Sequence, residues 1–317
     1  MLGMLAIRAL ATDIKFSHTI FAMPFAILGA MMAGTMPHPP LLTLASPDDL
    51  KAMADYLPTW SNLGLQFALI IICMILARTS AMLANRILDR NIDKTNPRTA
   101  NRALPSGDVT LKQAIIVVVC INMLFIVATA FFGILWNNWL PIILAIPILV
   151  WLGCYPLLKR FTSLCHFFLG ASLALSPIAA AIAINPSAIE MPSIWWLSGA
   201  VLFWVTGFDI IYALQDLEID LKDGNKSIPA LLGARNARLL SLGLHCFCIQ
   251  MLWWTAATHP KFEWLFFTAT CFVAGLLLLE HFITHKWGTL KITLTFFTLN
   301  GFVSCILGIC GILDLLG

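Results

Sequence analysis

The sequence predicts an all-α polytopic membrane protein, and three observations support this prediction. Of the 317 residues, 60% are hydrophobic and only 11% are charged, whereas soluble domains carry about 25% charged residues. The mean hydropathy is +0.88, and long apolar runs recur along the whole chain. This composition excludes a soluble enzyme, a disordered chain and a nucleic-acid-binding protein with a broad basic face, so we expect no nucleic-acid partner.

Nine apolar runs are long enough to cross a bilayer, because a hydrocarbon core of about 30 Å requires about 20 helical residues. The predicted spans are 16–35, 62–84, 112–134, 139–158, 161–184, 193–214, 238–257, 263–284 and 291–314. Very short connections join the third span to the fourth and the fourth to the fifth, so these neighbours should be antiparallel. Two longer polar connections, 85–111 and 215–237, each begin where an apolar run ends.

Positive charge is distributed unequally between the two sides of these spans. If the N-terminus is cytoplasmic, 16 Lys and Arg residues flank the cytoplasmic ends, and only Lys51 and Lys261 lie on the other side. Arg78 lies within a span. Because cytoplasmic loops are enriched in Lys and Arg, the bias predicts a cytoplasmic N-terminus, an external C-terminus and two cytoplasmic polar connections.

The first cluster of polar residues follows the second span. Asn85, Asp89 and Asp93 are spaced four residues apart, so on an α-helix they project from one face at successive turns. Such a stack of oxygen ligands at a helix end suits a divalent cation, especially Mg²⁺ shared with a phosphate group.

The second cluster lies at the end of the sixth span. Steps of seven and eleven residues separate Asp209 from Asp216 and Asp220, so all three share a helix face, with Tyr212 beside them. The two clusters can face each other across one cavity. The alternative is that they are solvated caps, but carboxylates gathered at a low-dielectric site repel one another unless a cation neutralises them. Two clusters with the same periodicity on the same side therefore favour a shared site.

A tight turn between the fourth and fifth spans carries Tyr155, Lys159 and Arg160. Basic residues in such a turn are often only anchors that fix membrane orientation. Beside two clusters that suit a metal and a phosphate group, Lys159 and Arg160 are also candidates for binding phosphate.

Together these residues resemble the two aspartate-rich motifs of the UbiA superfamily of intramembrane prenyltransferases. The first motif is Asn85-xxx-Asp89-xxx-Asp93, and the second is Asp209-xx-Tyr212-xxx-Asp216-xxx-Asp220. Three shorter patterns are also similar, namely Arg98-Thr-xx-Arg102, Tyr155-Pro-xx-Lys159-Arg160 and Gly224-xx-Ser227. The resemblance extends over the whole chain and implies one domain, 1–317, with nine transmembrane helices around a central cavity.

The resemblance also implies the chemistry of that cavity. Polyprenyl diphosphate would lie under the cytoplasmic loops of a multi-pass protein of the cell (inner) membrane, with Mg²⁺ bridging its phosphates to the aspartates. The implied catalytic residues are Asp89, Asp93, Asp209 and Asp216. The implied metal ligands are Asn85, Asp89, Asp93, Asp216 and Asp220. The implied substrate-binding residues are Arg78, Asn85, Arg98, Arg102, Tyr155, Lys159, Arg160, Tyr212 and Lys226.

Arg78 lies two turns before Asn85, on the same face and deeper in the membrane. An unpaired Arg is costly there, so either a carboxylate on another helix pairs with it or it binds the carboxylate of an aromatic acceptor. The resemblance favours the second interpretation, within respiratory quinone biosynthesis. The acceptor stays open between a 4-hydroxybenzoate type and 1,4-dihydroxy-6-naphthoate of the futalosine menaquinone pathway, since both present a carboxylate and a phenol.

A secondary transporter is the alternative from a different class, because intramembrane Asp and Arg residues also mark ion-coupled pathways. A transporter would need polar groups near the membrane midplane. In this sequence the polar groups crowd at one face, and only Arg78 and Asn300 lie deeper. The pattern therefore favours the enzyme.

Overall fold

The computed structural model describes residues 10, 21–35, 60–97, 99–288 and 292–317, and within them it contains helices and no strand. The α-helices are α1 (Met23–Thr35), α2 (Trp60–Thr95), α3 (Ala103–Ser106), α4 (Leu111–Trp136), α5 (Leu140–Cys154), α6 (Cys165–Ile184), α7 (Pro192–Ala213), α8 (Leu217–Asp223), α9 (Ile228–Thr258), α10 (Trp264–Trp287) and α11 (Ile292–Leu316). Short 3₁₀ helices cover Tyr155–Arg160, Pro186–Glu190 and Leu214–Asp216.

Each of the nine predicted spans has a helical counterpart, in the predicted order. Among the described residues, eight helical segments are long and apolar enough to cross a membrane. The counterpart of the first span, α1, has 13 residues, and the first residues of that span, 16–20, lie outside the described part of the chain. The all-α polytopic fold predicted from the sequence is thus confirmed.

Two helices extend beyond the predicted spans, and both extensions carry site residues. Helix α2 ends at Thr95 instead of residue 84, so the whole first motif is helical. Helix α9 begins at Ile228 instead of residue 238, because the Ser227 side chain caps it by accepting a hydrogen bond from the Ala230 amide. Hydropathy could not predict either end, since a helix satisfies its own backbone hydrogen bonds whether its side chains are polar or apolar. Helix α9 is kinked at Gly233, where φ is 75°.

The main hydrophobic core lies between α1, α6, α7, α9, α10 and α11. Trp204 of α7 is at its centre, 1% exposed, with ring contacts to Phe25 and Phe208. Its indole nitrogen donates a 2.7 Å hydrogen bond to Asn300 of α11, and Asn300 donates in turn to Glu280 of α10. A buried polar chain therefore joins three helices inside an apolar core, which fixes how they pack.

The ends of several helices meet at one end of the bundle, called here the polar end and defined by Asp89 of α2, Arg160 and Lys226. The Arg160 guanidinium donates a 2.6 Å hydrogen bond to the carbonyl oxygen of Leu88. The backbone amide of Lys226 donates a 2.8 Å hydrogen bond to the carbonyl oxygen of Lys159. These contacts bring both long polar connections and the Tyr155–Arg160 turn together.

Candidate functional site

A cavity of about 940 Å³ opens among α2, α4, α5, α6 and α7. Polar side chains line it at the polar end, while Phe132, Pro141 and Ala183 line it towards the opposite end of the bundle. Asn138, at that opposite end, donates hydrogen bonds to the carbonyl oxygens of Ile182 and Ala183. The cavity therefore has a charged rim and an apolar chamber that runs along the helices.

Twelve of the fourteen site residues predicted from the sequence line this cavity: Arg78, Asn85, Asp89, Asp93, Arg102, Tyr155, Lys159, Asp209, Tyr212, Asp216, Asp220 and Lys226. Arg160 is not part of the cavity lining, but its guanidinium lies 3.6 Å from the carboxylate of Asp89. Arg98 lies outside the described residues. The two clusters thus border one cavity, as their spacing predicted.

Asp89 is buried, with 3% of its surface exposed, and basic side chains surround it. Its Oδ2 accepts hydrogen bonds from the Lys159 ammonium at 2.6 Å and from the Asn85 amide at 3.3 Å. The Arg160 guanidinium lies 3.6 Å from Oδ1, and this oxygen is buried without a hydrogen bond. Asp89 therefore keeps one oxygen that a further donor or cation would satisfy.

Asp93, one turn further along α2, is held by Arg102. One guanidinium nitrogen of Arg102 lies 2.8 Å from both carboxylate oxygens. The Thr99 hydroxyl donates to the Asp93 carbonyl oxygen at 2.9 Å, which draws the connection after α2 back over the helix end. Arg102, which was predicted to bind substrate, is thus paired with Asp93, which was predicted to bind metal.

The sequence spacing suggested that the second motif lies on one continuous helix. In the structure the motif extends over three successive helical elements. Helix α7 ends at Ala213, the 3₁₀ turn Leu214–Asp216 follows, and α8 carries Asp220. A 3₁₀ turn advances about 120° per residue instead of 100°, so the angles between the three aspartates differ from those on one regular helix. All three nevertheless border the cavity, because the chain bends around its rim.

The aspartates of the second motif have different partners. Asp209 Oδ2 lies 2.6 Å from Nδ1 of His166. Asp220 accepts a 3.3 Å hydrogen bond from the Asn225 side chain, in the turn where Gly224 adopts a φ of 69° and ends α8. The positive φ of Gly224 is a conformation that glycine adopts without strain.

His166 is the site residue that the sequence reasoning missed. It lies in the first turn of α6, is 5% exposed and lines the cavity. A signal was available, since an imidazole at the start of an otherwise apolar span is the kind of intramembrane polar group that marks function. Its partner Asp209 lies 43 residues away in the sequence, so the pairing itself could not be read from spacing.

Arg78 has no acidic partner among the residues that the structure describes. Its Nη2 lies 3.5 Å from the sulfur of Met82, and its Nε is buried without a hydrogen bond. The interpretation of Arg78 as half of a salt bridge between helices therefore finds no support in the described part of the chain. A guanidinium that lines a cavity without a carboxylate suits an anionic group of a ligand.

Tyr155 and Lys226 complete the rim. Tyr155 begins the 3₁₀ turn and lines the cavity. The Lys226 ammonium donates to the carbonyl oxygen of Phe161 at 3.1 Å. Lys226 is exposed at the mouth of the cavity, from which its side chain can turn towards an anionic ligand.

The donor set can be tested for its fit to Mg²⁺. In the described ranges, no three His, Cys, Asp or Glu side chains converge on one point as a metal cluster. Carboxylate and amide oxygens line the rim, and Asp89 Oδ1 lacks a hydrogen bond. Because Mg²⁺ is commonly held by one or two carboxylates together with substrate phosphates, these residues fit a metal that binds with a diphosphate.

The fold and the cavity define an integral membrane protein with a cavity that is charged at one end and apolar along its length. The family model described as the UbiA prenyltransferase family matches residues 52–306. The chain belongs to this family.

Similar proteins agree with this assignment. The chain is 35% identical over 201 residues to a 4-hydroxybenzoate octaprenyltransferase of Saccharophagus degradans, a match that covers 63% of this chain and 61% of that protein. A protein of the same name from Psychromonas ingrahamii is 35% identical over 209 residues, 64% of this chain and 68% of that protein.

Solved structures show the same fold. An apo UbiA homologue from Aeropyrum pernix superposes with a TM-score of 0.76 at 27% identity, covering 95% of this chain and 98% of the other. A UbiA homologue from Archaeoglobus fulgidus bound to GPP and Mg²⁺ superposes with a TM-score of 0.63 at 16% identity, covering 96% of this chain and 99% of the other.

Proposed function

We propose that this protein transfers a polyprenyl group from polyprenyl diphosphate to the ring of a hydroxylated aromatic acid of the 4-hydroxybenzoate type. The observation that carries the proposal is the cavity. It joins a rim of carboxylates and basic side chains to an apolar chamber, and it is also lined by Arg78, which has no acidic partner among the described residues. The names of the relatives support the acceptor class, and the reaction belongs to respiratory quinone biosynthesis.

The rim residues bind and orient the diphosphate. Lys159, Arg102 and Lys226 offer donors to its oxygens, and each of them already contacts an oxygen acceptor at the rim. Asn85, Asp89, Asp93, Asp216 and Asp220 would hold Mg²⁺, which when bound supplies positive charge that stabilises the leaving diphosphate. Since Asp89 and Asp93 are paired with basic side chains here, those side chains are free to turn to the phosphates once the carboxylates bind metal.

The apolar walls of the chamber protect the reactive allylic group from water. Breaking the allylic C–O bond leaves a cation that water would capture, and the apolar lining excludes water from it. Arg78 binds the carboxylate of the aromatic acid and so presents the ring to the allylic carbon. Positioning of this kind contributes several kcal/mol to lowering a barrier between two bound reactants.

The experiment that tests the proposal is an assay of the purified protein with Mg²⁺ and a polyprenyl diphosphate. 4-Hydroxybenzoate is offered in one arm and 1,4-dihydroxy-6-naphthoate in the other, each with and without EDTA. We expect prenylated hydroxybenzoate that disappears with EDTA. Preferential use of the naphthoate would contradict the acceptor class, and transfer at full rate in EDTA would contradict the metal. Absence of transfer in both arms would contradict the proposed function.

A further inference from the structure

One pair of side chains in the cavity differs from the others. His166, in the first turn of α6, and Asp209, near the end of α7, are 2.6 Å apart between Nδ1 and Oδ2. The imidazole side chain is 6% exposed and the carboxylate 21%, and both border the cavity. The ring of His166 is therefore the more buried of the two groups, and the carboxylate of Asp209 is the more exposed to the cavity.

The second ring nitrogen of His166, Nε2, also has a hydrogen-bond partner. The backbone amide of Ile228, the first residue of α9, donates a 3.3 Å hydrogen bond to Nε2 of His166. A backbone amide can only donate, so Nε2 is the nitrogen without a proton. The ring proton is then on Nδ1, where it points to Asp209. His166 thus donates its Nδ1 proton to Oδ2 of Asp209.

This arrangement separates Asp209 from the aspartates of the first motif. Asp89 is bound by the ammonium of Lys159, and Asp93 by the guanidinium of Arg102. Asp209 instead has one oxygen on the His166 ring, and its Oδ1 has no partner among the described residues. A carboxylate that is held in place by a ring nitrogen and not by a Lys or Arg is better suited to accept a proton than to hold a phosphate-bound metal.

Asp209 is also placed near the expected position of the acceptor. Arg78, Tyr155 and Asp209 all line this cavity. The apolar side chains of Val205 and Phe208, on the same helix as Asp209, line it as well. An aromatic acid whose carboxylate is bound by Arg78 would present its ring in this cavity.

We propose that Asp209 accepts the proton that leaves the acceptor ring, and that His166 is the positioning residue that holds Asp209 for this step. The inference rests on the proposed function. When the allylic C–O bond breaks, its electron pair stays with the diphosphate, and a ring π pair forms the new C–C bond. The ring C–H bond then breaks, its electron pair restores the aromatic ring, and the proton goes to Oδ1 of Asp209, from which it passes to water.

The test uses the full-length protein with Mg²⁺, a polyprenyl diphosphate, and 4-hydroxybenzoate that carries either hydrogen or deuterium at the ring carbon to be prenylated. His166→Leu removes both hydrogen bonds of the ring. We expect kcat to fall about 10- to 100-fold, the scale of a misplaced or weakened general base. The KM of each substrate should stay within about threefold, and the isotope effect on kcat should rise above the parental value as proton removal becomes slower.

Two further variants separate positioning from other roles. His166→Gln offers an amide donor to Asp209 and an acceptor to the Ile228 amide but cannot ionise, so it should recover most of the lost kcat with a parental isotope effect. Asp209→Asn keeps an oxygen for the Nδ1 proton but is no base, so it should raise the isotope effect as His166→Leu does. His285→Leu, the same change at an exposed histidine, is the matched control and should behave as the parent.

Each other outcome overturns the inference. An unchanged isotope effect in Asp209→Asn, or a selective rise in the KM of the diphosphate, would assign the pair to donor binding. Equal losses in His166→Gln and His166→Leu would show that an ionisable ring is required. If His166→Leu does not fold, the variants Asp209→Asn and His166→Gln still test the inference. If the parent prenylates no aromatic acid, the proposed function fails and this inference with it, whereas the failures above leave the proposed function intact.

Discussion

At the scale of single residues, two of the arginines that line the cavity, Arg78 and Arg102, have opposite environments. Arg102 forms a close ion pair with Asp93. Arg78 has no carboxylate within ion-pair distance in the described part of the chain, and its buried Nε makes no hydrogen bond. A buried polar group without a partner costs free energy, and an anionic ligand would remove this cost at Arg78 but would have to compete with Asp93 at Arg102.

The first prediction concerns Arg78. Arg78→Ala should raise the KM of the aromatic acid by about 10- to 100-fold, since a charge-assisted hydrogen bond is worth about 1.5–3 kcal/mol. The KM of the polyprenyl diphosphate should change little. Arg78→Lys should recover only part of the loss, because it lacks the planar fork. Steady-state kinetics with each substrate varied in turn provide the measurement.

A selective rise in the KM of the diphosphate would instead place Arg78 among the phosphate-binding residues. An acceptor analogue without its carboxylate serves as the control, and the Ala variant and the parent should use it equally well.

The second prediction concerns the aspartates of the two motifs. Asp89→Ala and Asp216→Ala should each abolish turnover, because each removes an oxygen ligand proposed for Mg²⁺, while the protein still inserts and folds. Asp108→Ala, which changes an exposed carboxylate outside the cavity lining, is the matched control and should retain parental turnover. Product formation and size-exclusion profiles of the purified variants are the measurements. Retained turnover in Asp89→Ala would contradict the metal proposal.

At the scale of helices, close backbone contacts decide how the walls of the cavity are held. A Cβ atom on Gly29 of α1 would lie 2.5 Å from the carbonyl oxygen of Pro177 in α6 and 2.8 Å from its Cα. Both are backbone atoms and cannot turn away as a side chain would. Small residues let membrane helices approach in this way, and α6 in turn packs on α7 through Gly170, whose Cβ would meet Leu202 and Thr206.

The third prediction follows from this contact. Gly29→Ala should lower the stability of the detergent-solubilised protein by about 1–3 kcal/mol, the usual cost of overpacking. Gly275→Ala, in the middle of α10 with nothing within 4 Å of its added Cβ, should be neutral or slightly stabilising because Ala is the better helix former. Thermal unfolding of both variants is the measurement. Equal midpoints for the two variants would show that α1 and α6 can separate without loss.

At the scale of the whole molecule, the bundle has two unlike ends. The polar end gathers the rim of the cavity, and the opposite end is closed in part by the hydrogen bonds of Asn138 to the end of α6. The Lys and Arg bias predicts that the polar end is cytoplasmic. In this predicted orientation, the metal ion and the aromatic acid of the proposed reaction would enter from the cytoplasm.

The fourth prediction is this topology. Reporter fusions after Gly107 and Gly224 should report a cytoplasmic location, and fusions after Pro260 and Gly317 an external one. The excess of Lys and Arg at the polar end is the physical reason. A map that places Gly107 and Gly224 on the outer face would reverse the orientation. A map that places the two on opposite faces would contradict the fold, in which both connections meet at one end of the bundle.

The sequence by itself determined the features of this protein that depend on local pattern. The number and order of the spans follow from apolar length, and the face shared by Asn85, Asp89 and Asp93 follows from a regular spacing on a helix that is in fact continuous through Thr95. In the second motif, a 3₁₀ turn at Leu214–Asp216 changes the angle between its residues, although all three aspartates border the cavity.

Only the tertiary structure decided which charged groups pair. Lys159 and Asp89 are 70 residues apart in the sequence, and His166 and Asp209 are 43 residues apart. The sequence named Lys159 and Asp89 as site residues but not as partners, and it did not single out His166. Such pairs depend on which helix faces meet and on where along the helix axes the two residues lie. That is set by close packing between helices distant in the chain, and no local spacing encodes it.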